Sequence, residues 1–295
     1  MRFGSVEDRG GARRGPRAAV DLGSSRIRVS VPAREVLIDR PSSLPAAPGA
    51  GDEAFGGVRP RRKRGADRDA WVEGAAPPGW VRPIRHGMVT DARDCARLTG
   101  GALREAAAPA LKEILLALPS AATDRDRRRA VTAVRAAADC PVRTMEAPLA
   151  AVMGAGRAFG DTSPRLVLDI GAGLAEMAVI VEGEVGHARS VQYLLERPPG
   201  SASPRLPRHV HGRLADELQQ MLDGLPARLR SRVLSRGLLL TGGGALLPSL
   251  PGGLASRLAV DVRIAPDPAR ATIRGLARVC LAPESVRAVV AVRED

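Results

Sequence analysis

The sequence predicts an α/β fold whose loops are shaped to hold a phosphate, and two observations point there. First, three short glycine turns follow one another along the chain: Asp21-Leu22-Gly23-Ser24-Ser25, Asp169-Ile170-Gly171-Ala172-Gly173 and Thr241-Gly242-Gly243-Gly244. Each comes after a short apolar run: Ala18-Ala19-Val20, Leu166-Val167-Leu168 and Gly237-Leu238-Leu239. Second, apolar spacing alternates between the period of a strand and that of a helix. An apolar strand, a short acid and a tight turn let backbone N–H groups approach an anion, and the carboxylate can hold a hydrated magnesium ion. A short acid at a turn also stabilises the turn itself.

Taken in order, residues 1–17 are Gly- and Arg-rich and read as a loose basic tail. Residues 18–39 read as strands, because Ile27, Val29 and Val31 alternate with Arg28, Ser30 and Pro32. Residues 41–78 are rich in Pro, Gly and Arg and read as mostly loop. Residues 91–116 read as mainly helical, with Gly100-Gly101 as a potential break. A second helix is expected over 125–139. A third is expected over 146–159, starting near Pro148, a favoured first-turn residue. Residues 166–185 read as a β-hairpin around the second glycine turn. Residues 214–236 read as helical, kinked or split at Pro226.

Composition bounds the rest. The 295 residues fit one large domain or two medium ones, with ample core. Hydrophobic residues make up 44% but aromatics only 2%, so Ala, Leu and Val must fill the interior. The net charge of +13 is almost all arginine, and Lys63 and Lys112 are the only lysines. Cys95, Cys140 and Cys280 have no metal-ligand spacing and read as reduced thiols of a cytoplasmic chain. No signal peptide is read at the start, and no run approaches the ~20 apolar residues of a spanning helix. The arginine-rich segments 59–64 and 127–129 suit acidic headgroups, nucleic acid or a protein partner, and equally a solvated surface. Lacking interleaved aromatics, they are not expected to bind nucleic acid specifically.

The ordered turns resemble those of the actin-like ATPases, and among these the bacterial rod shape-determining proteins of the MreB/Mbl type. The resemblance extends to Arg82-Pro83-Ile84-Arg85-His86-Gly87-Met88-Val89, to Leu118-Pro119-Ser120 with Arg127-Arg128-Arg129-Ala130-Val131, to Met145-Glu146-Ala147-Pro148, and to most of 237–275. It covers 20–43, 82–185 and roughly 214–279. It implies an actin-like fold, two ribonuclease H-like lobes around a nucleotide cleft. The lobes are expected at 18–165 and 166–278, followed by a C-terminal segment at 279–295. Within the first, 41–81 corresponds to a degenerate, loop-rich outer subdomain. The second lacks its outer subdomain, since only 186–239 separate the second and third turns.

The same resemblance implies ATP and Mg2+ as ligands. Asp21 and Asp169 stand at the magnesium-shell carboxylates. Gly23, Ser24, Ser25, Gly171, Ala172 and Gly173 stand at the two phosphate turns, and Gly242, Gly243 and Gly244 at the turn facing the adenine and ribose. The departures concern catalysis. Leu174 and Ala175 stand where the family carries hydroxyls. Ala147 replaces the carboxylate that orients the attacking water, with Glu146 one position too early. An actin-type ATPase is therefore expected to be catalytically impaired, and no residue is assigned a catalytic role. Family filaments grow head to tail through outer subdomains, so self-polymerisation is expected to suffer. Two functions stay open: a reduced actin homologue acting in cell shape and cell-wall synthesis, or a nucleotide-sensing or nucleotide-independent pseudo-ATPase that regulates such partners. Expected partners are a full-length MreB-type paralogue or cell-wall synthesis proteins. The expected location is cytoplasmic, with peripheral membrane contact through the basic segments.

Overall fold

The computed structural model describes residues 15–46, 79–108, 110–196, 205–287 and 292–294. The expected tail at 1–17, the loop at 41–81 and the basic segment 59–64 therefore lie wholly or mostly outside the described residues.

Two sheets repeat one plan. In the first, strands β1 (Arg17–Leu22), β2 (Arg26–Val31) and β3 (Val36–Pro41) form an antiparallel meander. The small strands β4 (Leu44–Pro45) with β5 (Trp80–Val81), and β6 (Ile84–Arg85) with β7 (Met88–Val89), follow as two-stranded pairs. Helix α1 (Ala92–Glu105) leads to β8 (Glu113–Leu118), parallel to β1, and α2 (Asp124–Ala138) leads to β9 (Val142–Glu146), parallel to β8.

Helix α3 (Ala147–Gly154) crosses into the second sheet. There β10 (Arg165–Ile170), β11 (Leu174–Val181) and β12 (Glu184–Gln192) form the same meander. Helices α4 (Arg208–Asp223) and α5 (Ala227–Leu234) precede β13 (Leu238–Thr241), parallel to β10, and α6 (Leu250–Leu258) precedes β14 (Val262–Ile264). Helix α7 (Ala271–Leu281) and the single turn α8 (Glu284–Arg287) return the chain to the first sheet, where β15 (Arg293–Glu294) pairs with β9. Both sheets therefore run meander, then two parallel crossovers, with β1 and β10 in equivalent central places.

Local chemistry explains most boundaries. Asp91 caps α1 through its side chain, which accepts from the Asp94 N–H at 2.8 Å. Thr123 and Asp126 form a reciprocal capping box at α2. Pro226 divides α4 from α5, as the sequence predicts. Helix α1 runs unbroken through Gly100-Gly101. Two expectations need correction. The helix expected over 91–116 ends near Glu105, and Ile114, Leu115 and Leu116 belong to the central strand β8, buried on both faces. The hairpin expected over 166–185 is a three-stranded meander, because β12 continues to Gln192.

The core has three parts. One lies on the far face of the first sheet, under α1 and α2, and one on the far face of the second, under α4 and α6. The third lies between the sheets. Ala19, Leu115 and Met145 from the first meet Val167, Ala178 and Ile180 from the second, around α3 and α7. All three cysteines are buried.

Candidate functional site

The inner ends of β1 and β10 place the two acidic turns at one cleft. Residues 21–26, Arg28, Gly87, Ala117, Pro119, Ala147, Asp169, Gly171, Ala172, Leu174, Glu176, Gly242, Gly243, Ala269 and Thr272 line it. The two hairpin turns are built alike. The Gly23 N–H donates to the Arg26 carbonyl at 3.1 Å, and the Gly171 N–H to the Leu174 carbonyl at 2.8 Å. A Cβ at Gly23 would stand 2.7 Å from the Arg26 carbonyl oxygen, so only glycine fits there.

The third turn packs on the second. Gly242 has φ +78°, and a Cβ on it would meet the Ile170 carbonyl oxygen at 2.3 Å and Asp169 Oδ1 at 2.5 Å. The Thr241 hydroxyl donates to Asp169 Oδ1 at 3.0 Å. The tip of the β6–β7 hairpin spans the first two glycine turns. The Gly87 N–H donates to Ser24 Oγ at 2.9 Å, and the His86 ring Nδ1 lies 2.8 Å from the Gly173 carbonyl oxygen. Tyr193 donates its hydroxyl hydrogen to the Gly171 carbonyl at 2.6 Å.

Of the residues singled out in the sequence, the cleft brings together Asp21, Gly23, Ser24, Ser25, Asp169, Gly171, Ala172, Gly242 and Gly243. Gly173 and Gly244 stand outside its lining. Gly244 is a packing glycine, since a Cβ there would meet Ile170 Cγ2 at 2.2 Å. Ala147 lines the cleft and Glu146 does not. Glu146 closes strand β9 and Ala147 opens α3, so one step along the chain turns the side chain away.

Among the cleft residues that the sequence reading did not single out, two are buried and charged. Glu176 is buried in the middle of β11, where its Oε1 accepts the Ser120 N–H at 2.7 Å. Its signal was an acid inside the apolar run Leu174–Val181. Arg28 sits directly across the sheet from Asp21 and, on its other side, from Asp39. Its signal was the strand register itself.

The electrostatics follow from this crowding of acids. Burial raises Asp21, and Arg28 offsets part of that rise. Burial and the neighbouring Asp21 push Asp169 up to about 6, against the Thr241 hydrogen bond. Burial, then Asp169, push Glu176 up to about 8. Asp39 is held below the usual carboxylate range. Burial opposes this, but the guanidinium groups of Arg26, Arg28 and Arg270 together outweigh it.

A phosphate chain suits the turns. Ser25 lines the cleft, and its Oγ is buried without a hydrogen-bond partner. A divalent ion suits the site less well, since Asp21 already carries the Arg28 guanidinium, Nη1 to Oδ2 at 3.3 Å.

Comparison with known proteins identifies the family and the fold. The model of the family described as MreB/Mbl protein matches residues 16–194 and 207–287. The chain belongs to the MreB/Mbl family. Among curated relatives, the cell shape-determining protein MreB of Escherichia coli (strain K12) is 24% identical over 321 aligned positions, covering 87% of this chain and 91% of that protein. The cell shape-determining protein Mbl of Bacillus subtilis (strain 168) is 22% identical, covering 84% and 91%. Among solved structures, MreB5 of Spiroplasma citri bound to ADP superposes with a TM-score of 0.70 at 20% identity, covering 88% of this chain and 94% of that one. A double helical filament of MamK superposes with a TM-score of 0.66 at 14% identity, covering 90% and 99%. The fold is therefore actin-like.

Proposed function

We propose that this chain is a nucleotide-binding actin homologue of the cell-shape machinery, with slow hydrolysis and poor self-assembly. One observation carries the reading. Three glycine turns from two sheets converge on one cleft, with Asp21, Ser25 and Asp169 in its lining. ADP in MreB5 and the curated names of MreB and Mbl support a nucleotide and a cell-shape role. Slow hydrolysis is supported by Ala147 and Leu174 in the lining, neither of which can position or activate a water. A nucleotide-sensing or nucleotide-independent pseudo-ATPase that regulates cell-wall or cytoskeletal partners is the second reading, favoured by those same two residues.

The expected partners are a full-length MreB-type paralogue or cell-wall synthesis proteins. Among the described residues no helix is long and apolar enough to cross a membrane. Peripheral membrane contact would rest on the basic segment 59–64. In segment 127–129, Arg127 is buried and donates to Thr144 Oγ1 at 3.0 Å and Arg129 donates to the Thr90 carbonyl, which leaves exposed Arg128 as its freest cation. Isothermal titration of the full chain with ATP tests the reading. Heat of binding at one site per chain is expected, and its absence from every condition overturns it.

A further inference from the structure

Strand register places a cation inside the nucleotide cleft. Asp21, Arg28 and Asp39 are direct neighbours across β1, β2 and β3. Arg28 is only 9% exposed, yet it lines the cleft. Its Nη1 donates to Asp21 Oδ2 at 3.3 Å and its Nε to Asp39 Oδ2 at 3.2 Å. The two acids hold the guanidinium at two corners of its fork. Asp39 is in turn fixed by Arg26, which donates to its carboxylate and, at 2.8 Å, to its carbonyl. Arg270, from the second half of the chain, donates to Asp39 Oδ2 at 3.2 Å. The Arg28 side chain is thus preorganised beside the first phosphate turn.

A carboxylate that coordinates a hydrated cation must be free to do so. Asp21 instead lies in an ion pair whose other member is covalently part of the chain. Arginine cannot lose its proton in a protein, and its planar fork matches phosphate oxygens in pairs. Though its charge is shared with Asp21 and Asp39, the guanidinium holds fixed N–H donors beside the first glycine turn, where a phosphate oxygen can accept them.

Resting on the reading of the cleft as a nucleotide site, we propose that Arg28 takes the place of the divalent cation there, so that a nucleoside polyphosphate binds without metal. The cation is then constant, and the cleft does not respond to magnesium. Removing Arg28 frees Asp21 beside Asp169 and recreates an acidic pair able to accept a metal ion.

The test uses the full chain, with ATP as the probe, titrated by calorimetry in excess EDTA and in excess magnesium. Wild-type affinity is expected to agree between the two within about threefold. Arg28→Leu is expected to weaken binding in EDTA by roughly 10- to 100-fold, the size of a lost charge-assisted contact, and to regain part of it with magnesium. Arg28→Lys keeps the charge without the fork and is expected to fall between them. A readout independent of nucleotide is Mn2+ binding followed by electron paramagnetic resonance. The ion is expected to stay free with wild-type protein and to be bound by Arg28→Leu. The EDTA comparison needs no variant, so a poorly folding mutant leaves the proposal testable. Wild-type binding only with magnesium, or Mn2+ bound by wild-type protein, overturns the proposal and leaves the nucleotide reading standing. Binding in neither condition overturns both.

Discussion

Ala147 is one residue at which sequence departure and geometry meet. It opens α3 directly at the cleft, so a longer side chain there would project into the lining. Ala147→Glu is expected to raise phosphate release from ATP by on the order of 10²-fold, the usual worth of a positioned proton acceptor. A phosphate-release assay measures it, and an unchanged rate would show that the deficit lies elsewhere in the site.

Glu176 offers a second test at the same scale. Its folded-state value is raised to about 8 from 4.5, so between those values the folded chain holds a proton that the unfolded chain has released. Its contribution to stability is full below about 4.5 and is lost as pH rises towards 8. Glu176→Gln keeps the oxygen that accepts the Ser120 N–H and removes the titration. Relative to wild type it should be near neutral in acid and stabilising in base. The difference should grow by at most about 1.4 kcal/mol per pH unit across the window. Denaturant melts of both proteins against pH measure it, and parallel profiles would mean that Glu176 stays ionised.

At the scale of elements, helices α3 and α7 cross between the two sheets with almost no separation. A Cβ on Gly154 would stand 1.8 Å from the Ala271 carbonyl oxygen, and one on Gly275 would stand 1.8 Å from the Ala150 carbonyl oxygen. The glycines are reciprocal, each admitting the backbone of the other helix. Gly275→Ala is expected to destabilise by about 2 kcal/mol or more, since backbone has nowhere to move. Gly253→Ala in α6 meets nothing within 4 Å and is expected to stabilise by roughly 0.5–1 kcal/mol through helix propensity alone. Thermal melts of the two variants decide it, and equal behaviour would refute the tight crossing.

The glycine turns and the helix split at Pro226 were legible in the sequence because they depend on backbone chemistry next to the residue concerned. Strand β8 was not, because the apolar run from Ile114 to Leu118 carries no period, and strand and helix differ there only through tertiary burial. Arg28 and Glu176 were missed for a related reason. Their neighbours Asp21, Asp39 and Ser120 are set by sheet register and by the packing of the two halves, neither of which is written within one strand.

At the scale of the whole molecule, the two sheets and the α3–α7 crossing are complete among the described residues, so assembly is where this chain is expected to differ from its relatives. The alignment to MreB of Escherichia coli runs over 321 positions, more than the 295 residues of this chain, so that relative carries segments absent here. Between β12 and β13 the described residues supply only α4 and α5, and both precede the third turn as connecting helices. A head-to-tail filament is a heterologous contact and needs two complementary surfaces on each subunit. A stable specific interface buries about 1,200–2,000 Å² in total, and a chain without one outer subdomain, as proposed for this one, would lose much of one side. The purified protein is therefore expected to remain monomeric or small with ATP, and to enter filaments only when mixed with a full-length relative. Sedimentation and negative-stain microscopy, with and without anionic liposomes, measure both. Straight paired filaments from this chain alone would show that the two inner sheets and their helices already carry both filament surfaces.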